Sequence, residues 1–170
     1  MMAQYRSIKE QHPDSILFFR LGDFYEMFED DAIEVSRILN ITLTARGGVP
    51  MAGVPYHAAK NYIKRLLDAG KKVAICEQTL TGEKLARREV VQVVTPATVI
   101  EDDFLVAHDV NFLMAVTISK GAIVTSYADL GSGTFFIRQV EHDPEYIHLL
   151  ALLEEIRPRE LLVNEDEYFL

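Results

Sequence analysis

The stretch Leu-Gly-Asp-Phe-Tyr-Glu-Met-Phe, residues Leu21–Phe28, follows the apolar run Ile16–Phe19, which is typical of a buried strand. Gly22-Asp23 predicts a turn directly after that strand. If the chain leaves the turn as a second strand, Phe24 and Glu26 project to the same side, because strand side chains alternate. In a helix they would diverge, since residues two apart do not share a face. The extended form therefore offers a ligand one stacking surface and one hydrogen-bonding group.

A second interpretation of the same stretch needs no ligand. Phe24 and Phe28 would be core residues, because large apolar side chains are mostly interior in folded proteins. Glu26 would then be a solvated acid close to the start of the following helix. The residues of this stretch leave both interpretations open.

The composition indicates a folded protein. The chain has 170 residues, of which 49% are hydrophobic and 25% charged. No apolar run approaches the ~18 residues that a membrane helix needs, and the first residues lack a secretory signal. The single Cys76 lies in an apolar run and is expected to be a buried thiol in a reducing compartment. We therefore expect a cytoplasmic protein without a membrane partner.

The charge is distributed unevenly along the chain. The net charge is −9, yet residues 37–100 carry ten basic and four acidic side chains, and residues 101–170 carry four basic and fourteen acidic ones. A basic segment within an acidic protein is compatible with a local phosphate-binding face. It is also compatible with an ordinary solvated surface, which the charge counts alone favour.

The first part of the chain, residues 1–98, is predicted to be a mixed α/β domain. Pro and Gly punctuate residues 49–57, which predicts a loop with little regular structure. Asp30 or Asp31 is expected to cap the helix that follows the Leu21–Phe28 stretch. The other predicted elements are a helix over 2–11, the helix Asp31–Leu39, a strand over Ile41–Thr44, a helix over 58–69, and strands over Val73–Gln78 and Val90–Val94.

The second part is predicted to be a separate domain over 111–170, after a linker over 99–110. Three short strands separated by glycine-containing turns predict an antiparallel β-meander. A helix and a further strand follow, and this order matches the opening of an RNase H-like fold, here incomplete. We expect an N-terminal part of a larger protein. The predicted elements are strands over Phe112–Ile118, Ile123–Tyr127 and Phe135–Val140, a helix from Pro144 or Glu145 to Ile156, and a strand over Leu161–Val163.

Four motifs carry a resemblance to the bacterial MutS family of DNA mismatch repair proteins. They are Arg20–Phe28, Pro50–His57, Val73–Gln78 and Val93–Thr98, in the order and spacing seen in that family. The resemblance covers essentially the whole chain. It implies a mismatch-recognition domain followed by part of a connector domain, and it places the Phe-X-Glu motif of the family on Phe24–Glu26.

The resemblance implies roles for particular residues. Phe24 would stack on a mispaired base as a wedge, and Glu26 would hydrogen-bond that base, either as a carboxylate or as a carboxylic acid. Met51 is expected either to press into the kinked minor groove or to tuck into the core. The expected contacts to the DNA backbone are Arg46, Lys60, Arg88 and, at the end of a strand, Thr95.

The resemblance also implies partners and cofactors. The expected ligand is mismatched double-stranded DNA, and the full-length protein is expected to form a homodimer, to meet a MutL-type repair partner and to work near the bacterial nucleoid. No Gly-x-x-x-x-Gly-Lys-Ser/Thr stretch occurs in these 170 residues. We therefore expect no cofactor and no enzymatic activity here, with the ATPase, ATP and Mg belonging to the full-length protein.

Two functions of other classes compete with mismatch recognition. RNase H-like nucleases hold metal ions on early strands, and Asp129 lies where one such carboxylate is expected, although metal catalysis needs several converging ligands. Alternatively, the acidic residues 101–170 form a docking surface for another protein. Metal-dependent cleavage would indicate the nuclease, whereas metal-free preference for mismatched duplexes would indicate recognition.

Overall fold

The computed structural model of the chain describes residues 1–79, 87–98, 111–119 and 121–164. The described residues form two compact units, Met1–Thr95 and Pro96–Leu170. The predicted linker over 99–110 lies outside the described residues. Among the described residues, no helix combines the length and the apolar character that crossing a membrane requires.

The first unit is a six-stranded mixed sheet with helices. Its strands lie in the order β3-β4-β2-β1-β5-β6, with β1 and β5 parallel and the other neighbouring pairs antiparallel. The prediction of a mixed α/β domain is therefore confirmed. The elements are α1 (Met2–Gln11), β1 (Ser15–Leu21), β2 (Phe24–Phe28), α2 (Glu29–Leu39), β3 (Thr44–Arg46), β4 (Val49–Pro55), a 3₁₀ turn (Tyr56–Ala58), α3 (Ala59–Asp68), β5 (Lys72–Thr79) and β6 (Arg87–Val94).

Helices cover this sheet on both faces. On one face, Tyr5 of α1 packs edge-on against Phe19 and Phe28, with ring centroids 5.5 and 5.1 Å apart. Alternation along β1 and β2 turns Phe18 and Met27 to the other face, and both are fully buried. Helices α2 and α3 contact the strands from that side. This double cover explains why Ile16–Phe19 reads as a continuous apolar run.

A buried carboxylate connects α1, β1 and α2. The Oδ2 of Asp31 accepts hydrogen bonds from the Tyr5 hydroxyl and the Leu17 amide, both at 3.0 Å, and Oδ1 accepts one from Lys9 Nζ at 2.9 Å. The prediction that Asp30 or Asp31 caps α2 was wrong: the N-cap residue is Phe28, and no side chain bonds there. Asp31 points into the unit instead, because three donors converge on it.

The prediction of a loop over residues 49–57 was also wrong. Val49–Pro55 is the strand β4, which pairs with both β3 and β2. The preceding strand is Thr44–Arg46 and not Ile41–Thr44, because Gly47 and Gly48, both at positive φ, form a two-residue hairpin turn that sets the pairing. Proline and glycine obscured an alternation in which Ala52 and Val54 are buried.

The second unit confirms the predicted antiparallel meander. Its sheet has the order β10-β7-β8-β9, with β10 parallel to β7 and the other pairs antiparallel. An RNase H-like completion of this unit stays a prediction. The elements are β7 (Phe112–Ser119), β8 (Ala122–Asp129), β9 (Thr134–Val140), α4 (Ile147–Ile156) and β10 (Glu160–Leu162).

Helix α4 begins later than the predicted Pro144 or Glu145. The Asp143 carboxylate accepts hydrogen bonds from the backbone N–H groups of Ile147 and His148, at 2.9 and 3.3 Å. These bonds, that of Ile147 foremost, lower the pKa of Asp143, because they favour its charged form. The side chain of Asp143 therefore satisfies the amides that begin the helix at Ile147.

Candidate nucleic-acid interface

Phe24 and Glu26 lie in the extended strand β2 and share one face of the sheet. The side chain of Phe24, at the first position of the strand, is 46% exposed, whereas the other four residues of β2 are buried. Directly beside Phe24 are Leu21 in β1 and Pro55 in β4. An aromatic ring thus projects from the end of a strand whose remaining side chains are enclosed.

Glu26 is buried and paired with a cation. The Nη1 of Arg46 lies 2.8 Å from Oε2 of Glu26, and Nη2 lies 3.3 Å from Oε1. Only 12% of the Glu26 side chain is exposed, against 49% of the Arg46 side chain. The structure therefore brings two predicted site residues together, and Arg46 approaches the carboxylate from the solvent side.

The turn that precedes Phe24 is stabilised by Arg20 and Tyr56, on the face of the sheet opposite to Phe24. The guanidinium of Arg20 lies 3.7 Å from the ring centroid of Tyr56, and its Nε donates to the Gly22 carbonyl at 2.6 Å. The Tyr56 amide also donates to the carbonyl of Asp23 at 2.9 Å. A cation–π contact and two hydrogen bonds thus fix the backbone just before Phe24.

Behind this turn, Tyr25 donates a hydrogen bond to Glu77 across the sheet. Burial, and then the neighbouring Glu77, raise the pKa of Tyr25 to about 12. Tyr25 therefore stays neutral throughout the physiological range and anchors the strand that presents Phe24.

Met51 and Arg88 both have partners inside the first unit. Met51 is half-buried in β4, opposite Phe28, and packs against the cluster around Leu17 and Phe19. The Nε of Arg88 donates to the Arg20 carbonyl at 2.8 Å, and its guanidinium lies 5.0 Å from the ring centroid of Phe19. These contacts secure both side chains to the core, and their roles toward DNA stay predictions.

Lys60 and Thr95 lie apart from the Phe24 face. Lys60 is exposed in α3, on the side of the sheet that α2 and α3 cover. Thr95 directly follows β6, the edge strand farthest from β3 in the sheet order. Their assignment as backbone contacts also stays a prediction.

Asp129, the candidate metal ligand of the nuclease alternative, shapes a turn. Its Oδ1 accepts a hydrogen bond from the Gly131 amide at 3.0 Å, and its Oδ2 accepts one from the Ser132 hydroxyl at 2.8 Å. Within the described ranges, no three His, Cys, Asp or Glu side chains converge as a metal site would require.

Sequence reasoning missed the pairing of Glu26 with Arg46 and the support that Arg20 and Tyr56 give to the turn. Glu26 and Arg46 are separated along the chain by helix α2, and Arg20 and Tyr56 by β2, α2, β3 and β4, so no short-range spacing reveals either pair. The one local signal was the Gly47-Gly48 turn beside Arg46, which marks a hairpin and hence a return of the chain.

Comparison with known proteins places the chain in a family. Residues 1–103 match the family model described as MutS domain I. The chain is 49% identical over 178 residues to the DNA mismatch repair protein MutS of Treponema denticola, a match that covers 98% of this chain and 20% of the relative. The corresponding proteins of Borrelia garinii and Leptospira interrogans are each 46% identical, covering 99% of this chain and 20% of the relative.

The chain therefore spans about a fifth of the length of the curated relatives that it matches. The family model alone covers more than half of the 170 residues. The chain belongs to the MutS family, and its first 103 residues are domain I of that family.

Proposed function

We propose that this chain recognises mispaired or looped duplex DNA in mismatch repair, with Phe24 as the inserted wedge and Glu26 as the contact to the displaced base. The observation that carries the proposal is the exposure of Phe24 within a buried strand. A core Phe would be enclosed like Phe28, whereas a ring that meets a ligand must be accessible. The family membership and the relatives' printed role in mismatch repair support the same conclusion.

The wedge works through the mechanics of the duplex. Inserting an apolar side chain between base steps costs a few kcal/mol per step in unstacking, and it kinks the DNA. A mismatch is already weakly stacked, so the same insertion costs less there. Discrimination then arises from deformability and needs no code of base edges, which suits a protein that must accept many mismatches.

Glu26 adds a polar contact to this stacking. It lies two residues from Phe24 on the same face, so a base stacked on the ring presents its edge toward the carboxylate. In matched DNA the hydrogen-bonding groups on the Watson–Crick edge of each base are satisfied by the partner base, and the bases stay stacked in the duplex. Only a displaced base gains a new bond from Glu26, and this second difference adds to the mechanical one.

Further properties belong to the full-length protein in this proposal. They follow from the family resemblance and are an ATPase that uses ATP and Mg, a homodimer that clamps DNA, a MutL-type repair partner and a location at the bacterial nucleoid. The contribution of this chain is recognition of the DNA.

The proposal is tested by Phe24→Ala in the purified protein, with Phe136→Ala as the matched control. Both phenylalanine side chains are 46% exposed, and Phe136 lies in the other unit. Stacking of a base on an aromatic ring contributes ~1–3 kcal/mol, so Phe24→Ala should lower the affinity for a G·T duplex toward that for the matched duplex. Phe136→Ala should leave the preference intact.

Circular dichroism melts of both variants accompany the binding measurements. If Phe24→Ala keeps the original preference for the mismatch, Phe24 is not the wedge. Equal losses in the two variants would show that the effect comes from removing any exposed ring, which would also contradict the proposal.

A further inference from the structure

We infer that Arg46 is a positioning residue for Glu26: it holds the carboxylate as a charged acceptor on the Phe24 face and thereby sets the preference for mismatched DNA. This inference rests on the proposed function. It differs from a phosphate-contact role for Arg46, in which the side chain acts directly on the DNA backbone and contributes equally to every duplex.

The first observation is the two-point geometry of the pair. Each oxygen of Glu26 receives one guanidinium nitrogen, at 2.8 and 3.3 Å. A bidentate contact fixes the orientation of the carboxylate plane as well as its position, which a single hydrogen bond does not. Arg46 therefore determines where the free lone pairs of Glu26 point.

The second observation is the enclosure of Glu26. In the sheet it lies between Phe19 of β1, which is fully buried, and Gly53 of β4, which has no side chain to offer. A carboxylate with 12% of its side chain exposed has little water to replace a lost partner. Without Arg46 the charge would be uncompensated, and the side chain would move toward solvent.

The third observation is that the paired carboxylate of Glu26 still has free acceptor sites. An ionised carboxylate has about four lone-pair sites, and the two bonds from Arg46 occupy two of them. The others can accept an N–H donor from a base that mispairing has deprived of its partner. The pair as a whole is neutral, so it offers this acceptor without placing an uncompensated negative charge against the phosphates.

The inference is tested with the ratio of matched to mismatched dissociation constants, using a G·T duplex and its matched counterpart. Arg46→Met should lower this ratio to the value of the Glu26→Gln variant, a loss of roughly three- to tenfold. In the Glu26→Gln background, adding Arg46→Met should leave the ratio unchanged within twofold. Arg37→Met, which removes an exposed arginine from α2, is the matched control and should keep the wild-type ratio.

Two further variants separate positioning from a structural ion pair. Arg46→Lys keeps the charge but not the two-point contact, so it should keep only part of the wild-type ratio. The double variant Glu26→Arg with Arg46→Glu rebuilds the ion pair with the acceptor displaced. It should melt close to the wild type and still lack the preference for the mismatch.

Three results would overturn the inference. A uniform loss of affinity in Arg46→Met, with the ratio intact and a salt slope lower by about one, would make Arg46 a phosphate contact. A wild-type ratio in the reversed pair would make the pair merely structural. If the wild-type protein shows no preference for the G·T duplex over the matched duplex, the proposed function itself is wrong, whatever the variants do.

Discussion

Two aromatic-rich strands of this molecule have opposite environments. Strand β2, Phe-Tyr-Glu-Met-Phe, has four buried residues and one exposed residue, whereas β9, Thr-Phe-Phe-Ile-Arg-Gln-Val, has six exposed residues and one buried residue. Strand β2 lies between β4 and β1, and helices cover both faces of its sheet. Strand β9 is an edge strand of its sheet, and α4 packs on the face that holds Tyr127 and Val140.

The difference between the two strands shows when the exposure of an aromatic residue indicates a functional site. Phe135 and Ile137 project from the face opposite α4 and are 63% and 66% exposed, and Val124 of β8 and Leu162 of β10 are exposed on the same face. Their exposure is a property of that whole face. Phe24 is instead the exposed residue of an interior strand whose other four residues are buried, and this contrast directs attention to it as a site.

The largest expected effect comes from truncating one phenylalanine side chain in β2 and comparing it with the same change in β9. Phe28→Ala should destabilise the first unit by ~3–5 kcal/mol, because the ring is enclosed by Tyr5 and the cluster around Phe19. Phe135→Ala in β9 should change the free energy of unfolding by less than about 1 kcal/mol. Urea unfolding followed by circular dichroism compares the two variants. Similar losses would mean that β9 is packed as closely as β2, and the comparison would fail.

An intermediate effect should appear at alkaline pH and arise in the first unit. Burial, and then the neighbouring Asp31, raise the pKa of Tyr5 far above its ordinary value, and burial raises the pKa of Cys76 to about 11. Each group stays protonated when folded and ionises in the unfolded chain, so its contribution to stability is complete below the ordinary pKa and declines as the pH rises beyond it.

For Tyr5 this linkage amounts to about 1.4 kcal/mol at pH 11, one unit above the ordinary tyrosine pKa. Tyr5→Phe removes the ionisable group, so the difference in unfolding free energy between pH 8 and pH 11 should shrink by about that amount. The measurement is a pair of urea titrations at each pH. An identical pH dependence in the variant and the wild type would show that Tyr5 is not the group responsible.

The smallest effect is expected on the uncovered face of the second unit. Replacing Phe135 and Ile137 together by Ser should change stability by no more than ~0.5 kcal/mol, because most of each side chain stays exposed to water in the folded protein. Binding of a hydrophobic dye should fall, since the patch loses its two largest members. Ile123→Ser, on the covered face, is the control and should be strongly destabilising. A large loss in the double variant would show that this face is packed.

Local sequence determined most of the elements. Apolar runs between turn residues predicted β1, β5 and the meander, and helical spacing predicted α3, because each pattern reflects which side chains one element must bury. The alternation of strand side chains placed Phe24 and Glu26 on one face once the segment was taken as a strand. The four motifs also sufficed to identify the family, which the comparisons then confirmed.

The failures of prediction occurred where tertiary contacts override local preference. Residues Val49–Pro55 look like a loop by composition but form a strand, because β2 and β3 on either side supply its backbone partners. Asp31 looks like a helix cap but bonds inward, since Tyr5, Lys9 and Leu17 converge on it. In both cases the deciding partners lie far away in the sequence.

In the candidate site, too, some features follow from the local sequence and others from tertiary contacts. The sequence alone determined that an aromatic residue and an acid stand two positions apart after a turn. Whether that ring is buried, and which cation meets that acid, depended on how six strands are ordered and which faces the helices cover. These are long-range packing decisions, and neither the exposure of Phe24 nor the contact between Glu26 and Arg46 has any signature within a few residues of the motif.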